Sequence, residues 1–158
     1  MAMIYRDQAI RSQLLKDKAA VYSLVNEEDL STLKTIIAKI GWPCIPKVGK
    51  KASHAACLIV IHADHDLAYQ QECIGYMGSF IKDKNQIILP DLAALTDRVH
   101  MNLYGFQYYG TQFRWAEGTY LPCQITDRPR IDEFRRNMQL GPFQEAVERM
   151  CYRYRVNS

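Results

Sequence analysis

Apolar residues recur at helical spacing along most of this chain, and the places where that spacing stops divide it into elements. Residues 3 to 25 carry Ile10, Leu14, Val21 and Val25 with neither proline nor glycine between them, which predicts a first helix. Asn26, followed by Glu27, Glu28 and Asp29, predicts a cap and an acidic first turn for a second helix. Its buried stripe is Leu30, Leu33, Ile37 and Ile40; Gly41 ends it, with Pro43 just beyond. The loop Trp42 to Lys51 leads into a central helix from about Ala52 through Ala55, Ala56, Ile59 and Val60.

The polar run His62-Ala63-Asp64-His65-Asp66 interrupts that helix, and Leu67 to Ile81 resumes a helical pattern. Asp66 therefore reads as the N-cap of a new helix, and a break there exposes His62 and Asp64 at a junction. After the turn Lys82 to Gln86, Pro90 stands where a first helical residue belongs, and Leu92, Leu95 and Val99 give the apolar face of a helix ending near Asn102. From Gln107 to Ile125 aromatic and β-branched residues surround Glu117-Gly118, the pattern of a β-hairpin. Pro129 and Pro142 mark two further helices, over 130 to 139 and 142 to 153. The expected architecture is mainly α: a compact single domain over 1–158, of about six helices with one β-hairpin near residues 107–125.

Composition agrees, since 158 residues with 48% apolar content suffice for one buried core. Twenty basic and 17 acidic residues leave a net charge of +3, too small to imply a dedicated nucleic-acid surface. Arg128, Arg130, Arg135, Arg136, Arg149, Arg153 and Arg155 enrich the C-terminal third, but acids are interleaved with them, so nucleic acid is the weakest partner reading. The N-terminus reaches charged residues at once, without an apolar leader core, and no stretch approaches the roughly 20 apolar residues of a membrane span. The expectation is a cytoplasmic protein without a membrane partner, although leaderless export as an effector would leave the same sequence. Five widely spaced cysteines without a C-x-x-C pair point to reduced thiols, Cys57 and Cys73 being small core residues.

The strongest local chemical signal is His62 with Asp64, because an imidazole beside carboxylates is the usual equipment for acid–base work. On a continuous helix His62 and Asp66 would share a face, but His65 and Asp64 point elsewhere, so a full metal ligand set is missing and no metal site is expected. The plainer alternative has Asp66 capping a helix, His65 solvated and His62 hydrogen-bonded in the core. Asp7 and Arg11, four apart, suit an exposed ion pair. Arg98, beside Asp97, suits either clamping a phosphate or carboxylate or pairing with an acid. Tyr109-Gly110-Thr111-Gln112 opens the hairpin, where glycine permits close backbone approach; alternation puts Tyr109, Thr111, Phe113 and Trp115 on one face and Gln112 with Arg114 on the other.

Asp7-Gln8-x-x-Arg11, Gly41-Trp42-Pro43, His62-Ala63-Asp64, Leu95-Thr96-Asp97-Arg98 and Tyr109-Gly110-Thr111-Gln112 follow one another in this order. In these five motifs, over about residues 5 to 145, the chain resembles a bacterial domain-of-unknown-function family. The resemblance implies no reaction and no cofactor, but it highlights these polar positions. The family often has proline after the position of Asp66; this chain has Leu67.

Such a polar set is costly to bury without a purpose. The working expectation is a hydrolase or group transferase acting on an anionic, sugar-like or nucleotide-like substrate, in a cleft built around His62, Asp64, Arg98 and Gln112. His62 would be acid or base, Asp64 its orienting group, and Asp7, Gln8, Arg11, Asp97, Arg98, Tyr109 and Gln112 the substrate-binding set. The alternative is a non-catalytic binding or protein-interaction module in which the same residues form a structural polar network and the aromatic hairpin meets a partner. Cofactor and oligomeric state stay open.

Overall fold

The computed structural model describes residues 19–116 and 118–155. Among them are seven α-helices and one two-stranded antiparallel hairpin, so the fold is mainly α, as the periodicity predicts. No helix among the described residues is long and apolar enough to cross a membrane. By internal contacts the chain forms two compact units, one ending at Asp91 and one beginning at Leu92.

In the first unit, α1 (Ala19–Ile40) runs unbroken through Asn26, so the two helices expected on either side of that residue are one from Ala19 onward. Asn26 has only a modest helix penalty and no proline or glycine accompanies it, so tertiary packing overrides the local cap signal. Leu30, Leu33 and Ile37 are buried as expected, whereas Ile40 is 42% exposed. Ile40 is the last residue of the helix, and Gly41, at φ +71°, turns the chain away from the buried face. Trp42 is buried, and the single turn α2 (Ile45–Val48) leads through Gly49 into α3 (Lys50–Ile61). Ser53, Ala56, Cys57 and Val60 form the inward stripe of α3, and small side chains there let its neighbours approach closely.

The chain breaks at 62–66 and resumes in α4 (Leu67–Gly78). Asp66 caps α4 by accepting the Tyr69 N–H at 3.1 Å. Gln70, fully buried, donates its amide N–H groups to the Val60 and Ile61 carbonyls at 2.9 and 3.2 Å, satisfying end groups of α3 that a helix cannot pair itself.

Helix α5 (Leu89–Tyr104) carries the boundary between the units within its first turn, and in the second unit it buries Leu92, Ala93, Leu95 and Val99. Strands β1 (Phe113–Ala116) and β2 (Thr119–Pro122) pair from Phe113 opposite Pro122 to Ala116 opposite Thr119, with Gly118 at φ +75° just before β2. The hairpin is shorter than the expected span, and Gln107 and Ile125 make only an isolated bridge. Residues 109–112 are not strand: Gly110 sits at φ +66°, and neighbouring N–H groups turn toward the Asp97 carboxylate instead of a partner strand. A 3-10 turn (Arg128–Arg130), α6 (Ile131–Asn137) and α7 (Phe143–Arg155) complete the unit, near the two prolines as predicted. Helix α7 packs on β2.

Candidate functional site

The junction that drew attention to His62 and Asp64 lies in the first unit. His62 ends α3, its N–H bonded to the Leu58 carbonyl at 3.2 Å, and its side chain is half-buried; Asp64 and His65 are exposed. Asp66 caps α4 and accepts from Lys34 Nζ at 2.6 Å. That hydrogen bond, followed by the one from Tyr69, holds its carboxyl below the ordinary 3.8, so its contribution is present above that value and is lost as pH falls through the lowered one. Asp66→Ala should cost about 1 kcal/mol through the lost cap. Asp66→Asn, which keeps a capping oxygen, should differ from the parent near neutral pH by only a few tenths of a kcal/mol for the exposed ion pair. Urea melts at pH 7 and pH 2 check this: a parent–D66N gap that fails to shrink in acid would contradict the assigned pairing.

A second histidine in the same unit has the geometry that acid–base chemistry requires. His54, on the exposed side of α3, places Nδ1 2.8 and 3.0 Å from the two carboxylate oxygens of Asp91, in the first turn of α5. Its side chain is 49% exposed and that of Asp91 12%. Burial raises the Asp91 carboxyl above 3.8, opposed by the His54 hydrogen bond and by the charges of His54 and Lys50. An ionised carboxylate only accepts, so Nδ1 carries the hydrogen, and in the neutral ring Nε2 is then the acceptor. The pair, with Lys50, Lys51 and Ile88, lines a cavity of about 510 Å3. Lys50 and His54 are four apart and Lys51 and His54 three apart, so one face of α3 presents both cations beside the imidazole. The sequence reading missed this pair because 37 residues separate its members. The available signal was a carboxylate beside Pro90 at a helix start, where the helix dipole favours negative charge.

In the second unit the structure brings Asp97, Tyr109 and Gln112 together around one buried carboxylate. Asp97 is fully buried and accepts from the backbone N–H of Tyr108 at 2.8 Å, of Tyr109 at 3.0 Å and of Thr111 at 3.0 Å, and from the Thr111 hydroxyl at 2.8 Å. Gln112 donates its side-chain amide to the Ala94 carbonyl and to Thr111 Oγ1. Gln107, also fully buried, closes the loop by donating to the Gln112 and Cys123 carbonyls and accepting the Gln112 N–H. Arg135 clamps the other side through the Gly141 carbonyl at 2.6 Å and the Tyr109 carbonyl at 2.7 Å. Burial first, then the Asp97 charge, pushes the Tyr109 phenol up. Arg98 is half-buried, and its charge, like that of Arg114, acts on the Cys123 thiol. Neither Gln107 nor Arg135 was singled out from the sequence; a glutamine before an aromatic pair and an arginine among arginines carry no distinctive spacing. Asp7, Gln8 and Arg11 lie outside the described residues.

Cys57 and Cys73 are buried, as expected of small core residues. Burial, with the Asp91 charge, raises the Cys57 thiol well above its ordinary value, and burial pushes Cys73 up to about 12, which leaves both as unreactive thiols. Among the described residues no three His, Cys, Asp or Glu side chains group to hold a metal ion.

The chain is thus a mainly helical protein with an exposed histidine–carboxylate pair in its first unit and a buried carboxylate organising its second. It belongs to a family of unknown function, DUF6624, which it matches over residues 1–157. No curated protein and no solved structure matches it.

Proposed function

We propose that the chain is an acid–base enzyme of the hydrolase or group-transfer class, acting on an anionic, sugar-phosphate-like or nucleotide-like substrate at His54 and Asp91. The observation that carries this reading is a histidine whose Nδ1 is fixed by a largely buried carboxylate while its ring lines a cavity with two lysines. Asp91 holds the tautomer and stabilises the imidazolium that forms when Nε2 takes a proton from water or a substrate hydroxyl. Lys50 and Lys51 supply the positive charge that an anionic substrate requires. The acid–base role expected of His62 with Asp64 passes in this reading to His54 with Asp91.

The test is turnover of aryl phosphates, aryl esters, sugar phosphates and nucleotides by the purified chain. His54→Gln should lower kcat about 10²- to 10⁴-fold, with the helical circular dichroism unchanged. Absence of turnover across the panel, or full activity in H54Q, would defeat the proposal.

A second reading, a non-catalytic interaction module, has its own support. The polar motif residues Asp97, Tyr109 and Gln112 are engaged with one another's backbone and neighbours, and Tyr104 and Trp115 stand 60% and 57% exposed. Inactive protein retaining a specific protein partner whose binding is lost in Trp115→Ala would favour it.

A further inference from the structure

We propose that the second unit binds a small amphipathic oxyanion, a carboxylate or phosphomonoester carried on an apolar body, in the cavity between the start of the hairpin and α7. This site lies apart from the His54–Asp91 reading and does not depend on it. The cavity measures about 280 Å3, the size of a small metabolite, and its lining includes Arg135, Arg149 and Thr111 together with Phe113, Leu140 and Met150. Ala146, Arg149 and Met150 follow the i, i+3, i+4 spacing that brings α7 residues to one face.

Two arginines in one small cavity need an explanation. Arg135 is 3% exposed, yet its bonded partners are the carbonyls of Gly141, Tyr109 and Gly110, which orient a guanidinium without neutralising it. The acids whose charges favour it are otherwise engaged: Asp132 accepts the Phe143 N–H at 2.7 Å, and Asp97 holds the loop amides. Arg149 acts on Arg135 as a like charge and makes no hydrogen bond or ion pair of its own among the described residues. An oxyanion between them would relieve that repulsion and take the paired N–H groups of Arg149 in the fork geometry that arginine offers to carboxylates and phosphates, with the Arg135 charge beside it. The Phe113, Leu140 and Met150 side chains fix the rest of the ligand as apolar: bare phosphate would leave them without a partner, and an aryl or short acyl group would cover them.

The experiment is titration calorimetry of the full chain with benzoate, octanoate, phenyl phosphate, acetate and inorganic phosphate at low and high salt. Benzoate, octanoate or phenyl phosphate should bind at least tenfold tighter than acetate or inorganic phosphate, and weaken as salt rises. The better of the carboxylates and the aryl phosphate identifies the head group. Arg149→Gln should weaken that ligand tenfold or more without lowering the thermal midpoint of the ligand-free protein, since the side chain holds nothing in place and its charge only repels that of Arg135; Arg135, which clamps two loops, is left intact. H54Q should bind as the parent does, so loss of turnover at His54 and loss of this site are separable. Equal binding by R149Q and parent, or no binding by any of the apolar-bodied anions, would overturn the proposal.

Discussion

Replacing Asp97 with alanine should cost about 3–5 kcal/mol, enough to unfold the second unit under mild conditions, because one buried side chain satisfies four donors. Three are backbone N–H groups, of Tyr108, Tyr109 and Thr111, and the fourth is the Thr111 hydroxyl. The carboxylate is fully buried, so its removal leaves a cavity into which those donors point, away from water. Asp97→Asn should be nearly as damaging, since its amide nitrogen must face an N–H group where an oxygen now accepts. Urea unfolding monitored by the hairpin tryptophan reports the change. A midpoint shift in either variant equivalent to less than about 1 kcal/mol would show that the loop amides find other acceptors.

Gly110→Ala should cost about 2–5 kcal/mol, through two effects that add at one position. The residue sits at φ +66°, where a Cβ is disfavoured by about 1–2 kcal/mol. That Cβ would also lie 2.7 Å from Phe143 Cδ2 and 2.9 Å from Ile131 Cδ1, both buried, and overpacking of this kind costs about 1–3 kcal/mol. Gly118→Ala isolates the first effect: the backbone is again left-handed, at φ +75°, but nothing stands within 4 Å of the added atom. Its loss should therefore be about 1–2 kcal/mol. Equal thermal shifts for the two variants would remove the close approach of Phe143 as a cause.

These two residues also mark what periodicity could and could not reveal. The helices from the central one onward, the Asp66 cap, the glycine turn before β2 and the helix starts near Pro90, Pro129 and Pro142 are local features, written in adjacent residues, and the structure has them. Asn26 misled because a cap residue in mid-helix costs little once the helix beyond it buries Leu30, Leu33 and Ile37. The chemistry is less legible. His54 and Asp91, 37 residues apart, meet only once the chain folds, and the one local signal is Asp91 beside Pro90 at a helix start. Asp97 and the Tyr109–Gln112 segment were both marked as polar motifs, yet a motif gives no direction to a side chain. The folded chain turns the Asp97 carboxylate toward backbone amides, a role that a ligand contact and a loop anchor would write with the same letters.

The anchor at Asp97 has a consequence for how the second unit assembles. Its bonds span 11 to 14 residues, so the carboxylate meets its amides by closing a short loop off the end of one helix, an event on the order of 100 ns. The Arg135 clamp on the Tyr109 carbonyl spans 26 residues and needs α6 in place. Loop closure entropy rises with length, by about 0.6 kcal/mol per doubling, so the shorter closure is the cheaper one to make first: the turn around Gly110 needs only α5 and its own loop, whereas the Arg135 clamp adds the C-terminal helices to it.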